Sequence, residues 1–238
     1  MRRNMVLFLA LTGLVLLFQG FGTVVPTDAA AEIPAEEPRK YVALTFDDGP
    51  KRQTTERLLD GLKERGASAT FFLIGEQIEA NQDLVLRMEA EGHQVGNHTW
   101  SHQRLDGTDS GTVAWEISQT EKALTELLGT GGYWLRPPYG QVSSGEESCI
   151  PVPMVKWSVD PRDWESRDTE KVTQAILEAV RPNSIILLHD IYPTSVDAAL
   201  RVVDTLQKEG YWFVTAEELL ELNGIMPRPG TMYRTGTG

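Results

Sequence analysis

Two adjacent carboxylates and two histidines four residues apart are the groups best suited to chemistry in this chain. Asp47 and Asp48 close the run Tyr41-Val42-Ala43-Leu44-Thr45-Phe46, and Gly49-Pro50 follows them. The apolar run predicts a short buried strand, and Gly-Pro predicts the turn that ends it. Both acids are thereby delivered to the carboxyl end of a strand, where α/β sheets and barrels place active sites. Adjacent acids can divide labour, one binding a metal while the other moves a proton. Alone, the same four residues also fit an exposed turn with no chemistry. The segment His98-Thr99-Trp100-Ser101-His102 puts two rings on one face if it takes a helical turn. Two histidines and one carboxylate form a recurrent ligand set for a hydrolytic zinc site with an open position for water.

Strands and helices alternate from Lys40 onward. Strands are expected over Tyr41 to Phe46, Ala69 to Ile74, Gln94 to Gly96, Tyr133 to Leu135, Met154 to Val159, Ser184 to Leu188 and Trp212 to Val214. Helices are expected over Thr54 to Arg65, Gln82 to Glu91, Thr112 to Leu128, Thr169 to Val180, Ser195 to Glu209 and Ala216 to Leu222. Trp115, Ile117, Leu124, Leu127 and Leu128 supply the apolar positions of the long helix, and Thr169 the N-cap of the fourth. This alternation predicts an α/β fold, a distorted TIM-barrel-like (β/α) barrel of about seven parallel strands, as one domain. The tail from Pro227 shows only turn residues and is expected to be loose.

Three further polar clusters fall at strand ends. Arg136-Pro137-Pro138-Tyr139-Gly140 ends the fourth, and Arg136 offers a fork of donors suited to a carboxylate. Asp160-Pro161-Arg162-Asp163-Trp164 ends the fifth. Leu187-Leu188-His189-Asp190 ends the sixth and places His189 where a second acid–base group is wanted. His93, one of only four histidines, falls at the start of a strand, away from this rim, and reads as structural.

These five clusters, in this order, resemble the five motifs of the carbohydrate esterase family 4 polysaccharide deacetylases, the NodB homology domain. The resemblance covers about Lys40 to Leu222 and departs at no position where the family places chemistry; Val142 to Pro153 is the least typical stretch. It implies that Asp48, His98 and His102 hold a divalent metal, most often zinc, with cobalt or nickel as alternatives. It implies that Asp47 is the general base, steadied by Arg136, and that His189 is the general acid, held by Asp163. Tyr139, Trp164 and Leu187 would line the acetyl pocket, with the Tyr139 N–H helping to bind the oxyanion. The implied reaction removes acetyl groups from N-acetylated sugars of an extracellular or cell-wall polysaccharide, peptidoglycan N-acetylglucosamine first. Chitin or chitooligosaccharide and acetylxylan are the alternative substrates. A catalytically silent carbohydrate-binding protein is the alternative of another class; loss of Asp47, His189 or a ligand would mark it, and none is lost.

The composition is that of a folded globular protein. The chain has 238 residues, 41% hydrophobic and 24% charged, with net charge −12. An acidic protein has no general attraction for nucleic acid or anionic membrane surfaces. Arg2 and Arg3 precede an apolar run from Met5 to Phe18, and Ala29-Ala30-Ala31 follows. Residues 1–31 thus read as a secretory signal or an N-terminal membrane anchor, 32–39 as a linker, 40–225 as the catalytic domain and 226–238 as the tail. A secreted or wall-associated monomer is expected. Cys149 is the sole cysteine and reads as a small half-buried residue without thiol chemistry.

Overall fold

The computed structural model describes residues 39–238. The expected signal or anchor lies outside the described residues. No helix among them is long and apolar enough to cross a membrane.

Strand β1 (Lys40–Asp47) is the central stave, buried from Val42 to Asp47. Its carboxyl half pairs in parallel with β2 (Thr70–Leu73) on one side and β5 (Ile185–His189) on the other. Its amino half pairs with β6 (Tyr211–Phe213). The Ser68 N–H, just ahead of β2, donates to the Phe213 carbonyl, so β6 continues the β2 side. Strand β3 (Gln94–Asn97) adds outside β2. Parallel bridges from Asn97 to Leu135, Leu135 to Met154 and Val159 to Ile186 then carry the ring round to β5. The staves are β1, β2, β3, the Leu135 segment, the segment from β4 (Met154–Val155) to Val159, β5 and β6. They form the expected distorted barrel.

Two expected strands shrink. Tyr133 to Leu135 keeps bridges only at Leu135, one to each side, and Met154 to Val159 keeps only β4 and a bridge at Val159. In the second of these, Arg136 Nε and Nη2 donate to the carbonyls of Val155 and Lys156, so a side chain takes the place of backbone partners there.

Helices α1 (Arg52–Glu64), α3 (Gln82–Ala90), α6 (Thr169–Ala179) and α7 (Pro193–Lys208) cover the barrel, and α2 (Gly75–Ile78) is a short turn that the sequence reading did not anticipate. Leu58, Leu59 and Leu62 of α1 share one fully buried cluster with Val196, Ala199, Val202 and Val203 of α7. Removing one such leucine side chain costs about 2–5 kcal/mol. Helix α4 (Ser110–Leu128) starts at Asp109, whose carboxylate accepts the Thr112 N–H, and ends at Gly129 with φ of 75°. Its buried apolar residues are Val113, Ile117 and Leu124; Trp115 is 49% exposed, edge-on to Trp100. At 100° per residue Trp115 falls nearly opposite Ile117, so this apolar position faces outward. Asp168, rather than Thr169, caps α6 through the Glu170 and Lys171 N–H groups. Helix α7 begins earlier than expected because Pro193 suits the first turn.

The tail is not loose. After α8 (Ala216–Leu222), β7 (Met232–Tyr233) pairs in parallel with β4. Tyr233 is buried, and the Gly236 N–H donates to the Asn183 carbonyl. One buried aromatic fixes a segment that turn residues made look free. Cys149 is exposed rather than half-buried.

Candidate active site

The parallel register aligns Asp47 with His189 across β1 and β5, so both side chains leave the same end of the barrel side by side. Arg136 is fully buried; its Nη1 donates to Asp47 Oδ1 at 2.8 Å and to the Thr45 hydroxyl at 2.7 Å. Its guanidinium lies 4.2 Å from the Phe72 ring centroid. Burial pushes its pKa down, and Asp47 opposes this.

Asp48, His98 and His102 converge, each offering a ligand atom within 4.8 Å of the others. His98 Nε2 is 3.5 Å and His102 Nε2 3.4 Å from Asp48 Oδ1. The histidines do not share a helical turn, contrary to expectation. They sit in a loop with left-handed φ at Thr99 (68°) and His102 (60°). Neighbouring side chains hold that loop: Asn97 Oδ1 accepts the Thr99 N–H, and buried Glu116 on α4 accepts the Ser101 N–H and hydroxyl. His98 Nδ1 lies 2.6 Å from the Arg136 carbonyl and so must donate to it, which aims Nε2 at the site, where it can hold either a proton or a metal ion. Burial pushes Asp48 up, but His98, with His189 and His102 behind it, holds its pKa down at about 2. Asp48 Oδ1 is buried without a hydrogen-bond donor. A buried charged oxygen facing two imidazole nitrogens fits a divalent cation with one carboxylate and two nitrogen ligands.

Asp163, fully buried at the start of α5 (Asp163–Ser166), receives three donors. Its Oδ1 lies 2.8 Å from His189 Nδ1; its Oδ2 accepts the His189 N–H at 2.8 Å and the Ser195 hydroxyl at 2.6 Å. Burial pushes the His189 imidazole down, but Asp163, with Asp47 and Asp48, lifts it to about 9. His189 is therefore cationic at neutral pH, with Nε2–H as its remaining donor.

A cavity of about 340 Å³ joins these groups. All three expected lining residues, Tyr139, Trp164 and Leu187, are on its wall, together with Asp160, which the sequence places in its polar cluster without a role, and Trp157, which it does not single out. Tyr139 has φ of 60° and packs edge-on to His102 at 5.0 Å. Ser195 was also missed; its only sequence signal is a hydroxyl in the first turn of α7. His93 is at the other end of the barrel, as expected, accepting the Ala69 N–H at Nδ1.

A parallel barrel with a carboxylate and two histidines beside Asp47 and His189 is an architecture suited to metal-dependent hydrolysis. The chain belongs to the polysaccharide deacetylase family, whose model matches residues 35–146. It is 39% identical over 188 residues to the peptidoglycan-N-acetylglucosamine deacetylase PgdA of Listeria monocytogenes, covering 79% of this chain but only 40% of that protein. A solved T48 deacetylase with substrate superposes with TM-score 0.78 at 39% identity, covering 82% of this chain and 96% of the other. A family 4 acetyl xylan esterase from Clostridium thermocellum, in complex with cobalt, gives 0.78 at 32% identity, covering 82% and 98%.

Proposed function

We propose that the protein is a metal-dependent hydrolase that removes acetyl groups from N-acetylated sugars of a cell-wall polysaccharide, peptidoglycan N-acetylglucosamine foremost. The observation that carries this is the division between the neighbouring acids. Asp48 faces two imidazole nitrogens, while Asp47 faces Arg136 and lies in register with His189. The similarity to PgdA supports the choice of peptidoglycan over chitin or acetylxylan.

Asp48, His98 and His102 would hold the ion, zinc first, with cobalt or nickel able to serve. A bound divalent ion supplies Lewis-acid polarisation of the acetyl carbonyl and acidifies water. Asp47 takes the proton of the attacking water, with its carboxylate oriented by Arg136 Nη1. Leu187 and Trp164 take the acetyl methyl, and the Tyr139 N–H donates to the oxyanion. His189 Nε2–H protonates the departing amine, and Asp163 fixes the ring and the proton at Nδ1. The amide C–N bond breaks, giving acetate and a free amino sugar. Residues 1–31 would export or anchor the enzyme, placing it outside the cell as a monomer at the wall.

Purified protein with added zinc or cobalt is expected to release acetate from peptidoglycan, and a chelator to abolish release. Absence of acetate from peptidoglycan, chitin oligomers and acetylated xylan alike would leave a silent carbohydrate-binding protein as the better reading.

A further inference from the structure

Two arginine–aromatic stacks use cavity-wall residues, Tyr139 and Trp164, and a third uses Tyr192, the neighbour of His189. Arg104 lies over Tyr139 at 5.5 Å, Arg162 over Trp164 at 5.4 Å, and Arg167 over Tyr192 at 3.7 Å. The first two are neutralised within the protein: Arg104 pairs with Asp106 and Arg162 with Glu165, each at 2.6 Å. Arg167 differs. No carboxylate among the described residues forms an ion pair with it. Its neighbour Asp168 is occupied by the α6 amino terminus and Lys171.

Arg167 is nonetheless held in place. Its Nε donates to the Trp164 carbonyl at 2.9 Å, its face lies on Tyr192, and the Tyr192 ring is 6.1 Å from that of His189. The terminal nitrogens of this exposed guanidinium make no hydrogen bond or ion pair among the described residues, and the tyrosine it stacks on stands beside His189. Such a fork matches a carboxylate, and holding it in advance lowers the ordering cost of using it. In a protein of net charge −12, an acidic polymer is repelled at long range, so a fixed cation near the site has a large share in admitting one.

We propose that Arg167 is a specificity-determining residue that binds a carboxylate on the sugar next to the reacting one, selecting an acidic glycan over a neutral one. This rests on the deacetylase reading above. The test uses the full chain loaded with zinc and two forms of one N-acetylated peptidoglycan glycan stripped of its peptides, the carboxyl groups on its sugars either free or converted to methylamides. The wild type is expected to favour the free-carboxyl glycan in kcat/KM by about tenfold, as a charge-assisted pair implies. Raised ionic strength should narrow that ratio. Arg167→Gln should bring it close to one, and Arg167→Lys should leave it between the two. A wild-type enzyme that treats both glycans alike, or Arg167→Gln with an undiminished ratio, overturns the proposal. Acetate from neither glycan removes the deacetylase reading itself, and the specificity with it.

Discussion

His189, partly buried, and His93, buried, stand at opposite ends of the same barrel, and their protonation goes opposite ways. Burial pushes both down. At His93 the Nδ1 partner is a backbone N–H, which requires a bare nitrogen, and the pKa falls to about 4. At His189 the Nδ1 partner is the Asp163 carboxylate, which requires a proton, and the pKa rises to about 9. The pair shows that the partner, rather than the depth, decides which histidine can serve as an acid.

The consequences for stability have opposite signs. His189 has its folded pKa above the unfolded value of 6.5. Its contribution is therefore fully present below pH 6.5 and lost as pH rises through about 9. His93 is depressed: between pH 6.5 and about 4 the unfolded chain binds a proton that the folded one refuses, so stability falls with pH across that window.

The comparison breaks first at His189. His189→Ala should lower kcat by about 10²- to 10⁴-fold, the usual range for a general acid, with bound metal unchanged. His98→Ala should instead lose the metal, and equal metal loss in both variants would make His189 a ligand. Asp163→Asn turns the partner of His189 into a neutral one. The alkaline limb of the kcat/KM profile should then move from about 9 toward 6.5, a loss at pH 8 of roughly thirtyfold from protonation alone. A limb that stays near 9 would separate His189 from Asp163. The smallest effect is at the other end of the barrel. His93→Asn should shrink the difference in unfolding free energy between pH 7 and pH 4.5 by about 2 kcal/mol or slightly more, read from denaturant titrations at the two pH values. An unchanged difference would show that His93 is not the group that refuses the proton.

Much of this site is local enough to read from sequence. Thr45 to Pro50 carries its strand, its turn and both acids in six consecutive residues, and each later cluster likewise ends its own strand. What could not be read depends on residues far apart in the chain. The 98–102 loop takes its shape from Glu116, an acid that helix periodicity alone would have given to solvent. Ser195 reaches Asp163 only once α7 has packed beside α5. Tyr233 has no periodic pattern around it and is fixed by β4, almost eighty positions earlier. In each case a single long-range contact overrules the local signal.

The left-handed residues at the rim have a consequence for how such a protein would drift. Asp48, Thr99, His102, Tyr139, Arg162 and Arg167 all have positive φ without being glycine. Each conformation costs on the order of 1 kcal/mol that glycine would avoid. Selection for folding alone therefore favours their replacement, and selection for turnover opposes it at the residues whose side chains act. A copy of this gene released from catalysis would be expected to lose His102 and Asp48 to glycine or asparagine early and gain stability in doing so. The barrel would outlast the chemistry, and its history would be written in the rim.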